Sequence, residues 1–334
     1  FSDNPAAFYD YDTYNARLDV LVPDYPDQNW SYPPHFMLIS APFGLLGYNA
    51  ALALMTGLSV ICFWYFVVRD FDEPVYRKSV WLMPAFVFAL ICGQLSAMFA
   101  ALFILIYGNM DKRPILAGIL IALLTIKPQV GFLFPIFLIA TQRWAVLMSA
   151  SVATIVFIGA SIALYGIEIW QVFLFSQVGE QSDLLFHSHP LTRGLMPSLA
   201  TNFGIVGLGK DWSLILHSLV ALMVVAIMVW CCLRCKDRFL QFAVFILCCF
   251  IATPYLMAYD TIILCWIAVA MLSRYGASGW QQMSYRLIFA LIPIGVALSM
   301  LHVPGSSLVM LLLLAWTLSE TGLFDRKPGL VAAE

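Results

Sequence analysis

Lys127 stands inside the run LLTIKPQVGFLFP (123–135), with leucine and isoleucine before it and phenylalanine after it. An ionisable side chain at membrane depth is costly and by default marks function. A lysine facing a cavity at the outer membrane boundary suits a phosphate, which it meets as a compact point charge. Gln129 shares its turn; Gln94 lies in CGQLS (92–96), Tyr255, Tyr259 and Asp260 in TPYLMAYD (253–260), and His302 in HVPG (302–305). The segment 166–211 adds His187, His189, Arg193 and Lys210. On this reading Lys127, Arg193, His187 and His189 are the phosphate-binding candidates. Gln94, Gln129, Tyr255, Asp260 and Tyr32 are candidates to orient a polar ligand. Plainer roles stand beside these. Lys127 can snorkel to lipid headgroups, the glutamines can bond carbonyls freed at helix breaks, and Asp260 can serve as a helix-end or ion-pair residue. Two histidines in HSHP make too weak a set for a metal site. No metal ligand or cofactor is assigned, with a divalent ion left open.

These residues need a helical membrane frame. The chain has 334 residues, of which 62% are hydrophobic and 11% charged, with mean hydropathy +0.88. A soluble domain averages about 45–50% apolar and about 25% charged. The alternating segments of a β-barrel are missing, so the expected fold class is all-α and polytopic. A net charge of −2 gives no basic surface for nucleic acid. No glycine-rich nucleotide motif or Walker-type lysine is present, which argues against a soluble nucleotide site. The eight cysteines lie in or beside apolar segments without a disulfide framework, and the CxxC spacing of Cys232 and Cys235 has no second pair.

Apolar stretches fall at 35–68, 79–109, 114–141, 144–165, 212–233, 239–273 and 287–319. One crossing needs roughly 20 residues, so several stretches exceed one crossing and fall short of two. CGQLS, KPQ, TPYLMAYD and HVPG interrupt their middles, which predicts pairs of short helices turning at those points. Thirteen of the 17 Lys and Arg fall at 69–78, 111–113, 142–144, 234–238, 274–286 and 325–327; the exceptions are Arg17, Lys127, Arg193 and Lys210. The positive-inside rule makes those basic turns cytoplasmic and puts the polar turns on the opposite face. About eleven crossings follow, starting outside, which fits a first helix lost upstream of Phe1.

The expected organisation is an acidic, aromatic outer loop over 1–33 and an N-terminal membrane module over 34–165. An outer loop with interfacial helices (166–211), C-terminal membrane helices (212–320) and a cytoplasmic tail (321–334) follow. HFMLISAPFGLLG, broken by Pro42 and Gly44, predicts a short interfacial or re-entrant helix before a span at about 48–68. A secondary transporter would also carry broken helices, but its ions would sit near the midplane of inverted repeats. Here the polar turns collect on one face and no such repeat is visible. A non-catalytic membrane partner in envelope assembly is the third class.

Five segments in order, WSYPPHFMLISAPFGLL (30–46), CGQLSAMFAALF (92–103), LAGILIALLTIKPQVGFLFP (116–135), RGLMPSLATNFGIVG (193–207) and ATPYLMAYDTIIL (252–264), resemble bacterial glycosyltransferase family 87. The resemblance runs over roughly 3–275 and implies the GT-C fold. It implies transfer of a hexose such as mannose, with inversion, from a polyprenyl-phosphate donor to a lipid or glycan acceptor of the cell envelope. The active face would be periplasmic, on the bacterial inner membrane. Lys127, Arg193, His187 and His189 then become donor-phosphate contacts. In such enzymes an Asp of the first outer loop acts as base on the acceptor hydroxyl. SDNPAAFYD (2–10) resembles the segment after that motif, so the base is expected upstream of Phe1, with Asp3, Asp10 and Asp12 as weaker candidates. Leu95 stands where the family commonly has Asn, which weakens the carry-over of sugar contacts at that turn.

Overall fold

The computed structural model of the protein describes residues 4–23 and 30–323, apart from the side chains of 5 and 176–183. Every regular element among them is helical. The N-terminal segment forms α1 (Tyr11–Leu21) after a 3-10 turn over Pro5–Tyr9, within the region expected to be an acidic, aromatic loop. The Pro33-Pro34 pair opens a 3-10 turn that runs into α2 (Met37–Ser40), and a second 3-10 turn spans Pro42 and Gly44 before α3 (Tyr48–Cys62). These short helices precede a continuous apolar run over Tyr48–Asp70, as the sequence predicts.

Proline sets the next boundaries. It lies in the first turn of α4 (Pro74–Trp81), α5 (Pro84–Ile91) and α7 (Pro114–Leu124), where its missing N–H costs nothing. Between the last two lies α6 (Ser96–Asn109); α8 (Phe134–Ala140) and α9 (Trp144–Tyr165) follow. The segment 166–211 is mostly helical, as α10 (Glu168–His187), α11 (Pro190–Gly194) and α12 (Leu199–Ile205). The C-terminal part holds α13 (Lys210–Arg234), α14 (Arg238–Ala252), α15 (Ile262–Tyr275), α16 (Trp280–Phe289), α17 (Leu291–Met300) and α18 (Ser306–Ser319).

Four helical runs are long and apolar enough to cross a membrane: Tyr48–Asp70, Trp144–Tyr165, Lys210–Arg234 and Ala258–Tyr275. The pair α16 and α17, bent by 80°, makes a fifth if counted as one span. The expected eleven or so crossings would require the shorter apolar helices to cross as well. Burial divides the long runs. The run ending in α15 is 72% buried, whereas α9 is only 17% buried and lies at the protein's surface. The core is therefore α14 and α15 with α6 and α8 against them. Phe103, Phe134, Phe137, Phe242 and Phe245 stack there with centroids 4.5–6.1 Å apart. On the flank, α7 meets α9 closely at Gly118, where a Cβ would lie 2.5 Å from that of Ser149.

The short helices turn at the four polar points. α5 gives way to α6 at 92–95, α7 to α8 at 125–133, α14 to α15 at 253–261 and α17 to α18 at 301–305. The break inside the stretch 287–319 near Ala290 was not expected. Pro293 in α17 cannot donate to the Phe289 carbonyl, and the chain bends beside Ala290. At the other ends of α7, α8, α14 and α15 the basic turns gather. Asp111 binds Arg143 at 3.3 Å and also pairs with Arg238, while the Tyr275 hydroxyl donates to Asp237 Oδ2 at 2.8 Å. The polar turns at 92–95, 125–133 and 253–261 thus share the end of the bundle opposite these basic turns.

Candidate active site

The turn carrying Lys127 is shaped by its own sequence. The Thr125 hydroxyl donates to the Ala122 carbonyl at 2.5 Å and helps close α7. Pro128 bars its predecessor from the helical region, and Lys127 adopts φ −125° and ψ 73° at the head of a 3-10 turn over Pro128–Val130. Neighbouring residues are thereby sent to different sides. Ile126, Lys127 and Gln129 line a polar cavity of about 560 Å³. Thr125, Pro128 and Gly131 line a separate apolar groove of about 420 Å³, walled by Phe132, Phe134 and Leu138 and by α9.

Lys127 is only 5% exposed. Its Nζ lies 2.5 Å from Asp260 Oδ1, and the Ser96 hydroxyl donates to the same oxygen at 2.7 Å. The ammonium also sits 4.8 Å from the Tyr259 ring centroid and 5.7 Å from that of Phe99. Three turns distant in sequence therefore meet at one charge pair. A buried pair is costly to desolvate and gains from every added hydrogen bond. Asp260 Oδ2 is buried and has no hydrogen-bond partner in the protein.

Tyr32, Gln94, Gln129, Tyr255 and Lys127, expected to act together, all line the polar cavity. The Tyr32 hydroxyl donates to Gln94 Oε1 at 3.2 Å, so the amide NH2 is the end left to the cavity. Tyr9 in turn donates to the Tyr32 carbonyl at 2.7 Å. The segment 190–196 closes another side with Thr192, Leu195 and Met196, tied to the Asp260 turn by Ala258 N–H donating to the Leu195 carbonyl at 2.7 Å.

Other candidates stand elsewhere. Asp260 lies behind Lys127 and is not part of the cavity lining. Arg193, His187 and His189 are also outside the lining, although Ser188 and Thr192 beside them are in it. His189 Nδ1 accepts from Leu191 N–H at 3.2 Å and caps α11. His302 occupies the 301–305 turn with φ +56°, away from the lining. Asp3 lies outside the described residues. Asp10 and Asp12 are exposed and flank Tyr11, which lines the cavity mouth. Hydrogen bonds from the Thr13 hydroxyl and backbone N–H hold Asp10 below the usual carboxylate range, which makes it a weaker base. Among the described residues no carboxylate or imidazole lines the cavity, and no group of three or more His, Cys, Asp or Glu is placed to hold a metal.

Sequence reasoning passed over Ser96, Tyr11 and His35. Ser96 and Tyr11 carry no distinctive signal. His35 does, as an ionisable residue at the head of an apolar run.

The fold and cavity together define a polytopic helical membrane protein with a polar site at one end of its bundle. The model of glycosyltransferase family 87 matches residues 30–259, which include Tyr32, Gln94, Lys127, Gln129 and Tyr255. The chain belongs to glycosyltransferase family 87 and is a membrane glycosyltransferase, acting on a sugar donor and an acceptor. Neither the curated proteins nor the solved structures provide a match.

Proposed function

We propose that the protein transfers a hexose, with mannose the first candidate, from a polyprenyl-phosphate donor to a lipid or glycan acceptor of the envelope. The division of the 125–131 turn carries this reading: a buried ammonium faces a polar cavity on one side, and an apolar groove runs along the other. A lipid phosphate has that same division of chemistry at its headgroup. The tail would follow the groove of α7, α8 and α9. The sugar would occupy the cavity against Tyr255, Tyr259, Gln94 and Gln129. The cavity lies at the end opposite the basic turns, which by the positive-inside rule is the periplasmic face.

In the reaction the acceptor hydroxyl oxygen attacks the anomeric carbon from the face opposite the phosphate. The bond from that carbon to the phosphate oxygen breaks, and its electron pair leaves with the polyprenyl phosphate. Lys127 has three N–H donors, of which Asp260 takes one. Those remaining stabilise charge on the departing phosphate, a preorganised contribution that is commonly the largest in such catalysis. The acceptor's proton passes to a general base within hydrogen-bond reach. The candidates for that base in the N-terminal segment are Asp3, Asp10 and Asp12. Substituting Asn at Asp10 and Asp12 separates the exposed pair from the rest.

The test is transfer in proteoliposomes from radiolabelled polyprenyl-phosphate hexose, set beside nucleotide-linked hexose. The lipid-linked donor should be consumed and free polyprenyl phosphate released. Transfer from the nucleotide sugar alone would contradict the reading. Sugar uptake without transfer would point to the transporter class.

A further inference from the structure

His35 is 2% exposed, and its Nε2 lies 3.1 Å from the Thr125 hydroxyl oxygen. That hydroxyl already gives its hydrogen to the Ala122 carbonyl, so it accepts from His35. The ring is then the tautomer with hydrogen on Nε2, and Nδ1 is left buried without a partner. Its orientation is fixed by aromatic contacts. Trp170 stacks on it with centroids 5.6 Å apart and planes within 4° of parallel, and Phe157 meets it edge-on at 5.2 Å. The Trp170 indole N–H donates to Ser161 on α9 at 3.0 Å, which locks the stack.

We propose that His35 is a positioning residue for the reaction: through Thr125 it sets the turn that points Lys127 and Gln129 into the cavity. Its segment begins at Tyr32, which holds Gln94, and ends at the His35–Thr125 bond, so one short stretch registers two cavity walls against each other. Within the turn the Lys127 N–H donates to the Leu124 carbonyl and the Val130 N–H to the Lys127 carbonyl, at 3.0 and 3.1 Å, while Asp260 holds the Lys127 side chain from outside. An outside anchor two residues before the lysine therefore has leverage. This inference rests on the proposed transfer only for its kinetic readout.

Three substitutions test it. His35→Phe keeps a ring between Trp170 and Phe157 but removes the donor. His35→Gln restores an N–H near the Nε2 position. Thr125→Val removes the acceptor at nearly constant shape and serves if His35→Phe folds poorly. Misplacing a catalytic charge lowers kcat more than substrate binding, so His35→Phe should lose roughly 10–100-fold in kcat with donor KM little changed. His35→Gln should recover most of that loss. The double variant His35→Phe/Thr125→Val should be no worse than Thr125→Val alone, because both singles remove the His35–Thr125 bond and Thr125→Val also loses the bond to Ala122. Additive losses, a loss confined to KM, or equal losses for Phe and Gln would overturn the proposal. Hydrogen exchange in lipid nanodiscs, without substrate, gives a readout independent of activity. The Ile126, Lys127 and Val130 amides should exchange faster in His35→Phe and return toward wild type in His35→Gln. Unchanged exchange in His35→Phe would overturn the proposal even if transfer occurs. Lack of transfer by wild type, with exchange as expected, would instead refute the donor reading alone.

Discussion

Lys127 is half of a buried pair and, in the proposed reaction, the contact to the donor phosphate, and the two roles must be separated by substitution. Removing the lysine alone leaves Asp260 buried and unpaired, which costs about 3–5 kcal/mol. Lys127→Ala should therefore lower the thermal midpoint in detergent as well as activity. Lys127→Met with Asp260→Leu removes both charges and should restore the midpoint, since apolar replacement of a buried pair is often neutral. An unchanged midpoint for Lys127→Ala would show that the pair contributes little. Tyr32→Phe deletes one hydrogen bond of about 1 kcal/mol and frees the Gln94 amide to turn, so KM for the sugar donor should rise roughly fivefold with kcat nearly constant. A change in kcat alone would place Tyr32 in the chemical step. The sequence made the lysine conspicuous because charge among apolar residues is rare. It did not reveal its partner, because Lys127 and Asp260 are 133 positions apart and meet only when α7, α6 and α15 pack.

Helices and their turns were legible where proline, glycine or a polar cluster interrupts an apolar run. The turns at 92–95, 125–133, 253–261 and 301–305 all fall at such points. The bend beside Ala290 was missed because Pro293 acts on the carbonyl four residues before it, inside an otherwise apolar stretch. The packing of α11 was also hidden. Gly295 sits on α17 so close that a Cβ there would lie 2.6 Å from the Gly194 carbonyl oxygen. Ser299 adds a hydrogen bond to the Pro190 carbonyl at 2.8 Å. Nothing local in either glycine announces that contact. Gly295→Val should push α11 outward, with an overpacking cost of about 1–3 kcal/mol, and carry Thr192, Leu195 and Met196 away from the cavity. Gly159→Val on α9, where a Cβ meets nothing within 4 Å, should leave both stability and transfer near normal. Equal effects at the two sites would remove α17 from any role in shaping the cavity. At the start of α1 a pH effect follows from Asp10. Its folded pKa is lowered, so the cap is intact above the ordinary carboxylate pKa of 3.8 and is lost as pH falls through a still lower value. Exchange at the Thr13 amide should quicken below that pH, and Asp10→Asn should remove the dependence.

The molecule as a whole separates its charges by end. Arg143, Arg238 and the Asp111 they share close one end, and the cavity with the buried Lys127 ammonium opens at the other. The apolar groove beside the same turn runs along α9, the course proposed for the lipid tail. This division was legible in outline, since basic and polar turns alternate along the chain. The two spaces on either side of 125–131 were not, because they depend on how a proline-bent turn presents alternate residues. Everything proposed for the site turns on the Lys127 ammonium meeting the phosphate of a lipid-linked sugar. The deciding measurement is hexose transfer from polyprenyl-phosphate hexose by wild type and by Lys127→Met/Asp260→Leu, matched for folding. We expect transfer by the wild type and a loss of at least about 100-fold in kcat in the folded double variant. Transfer by that variant at near wild-type rate would rule out a phosphate contact at Lys127.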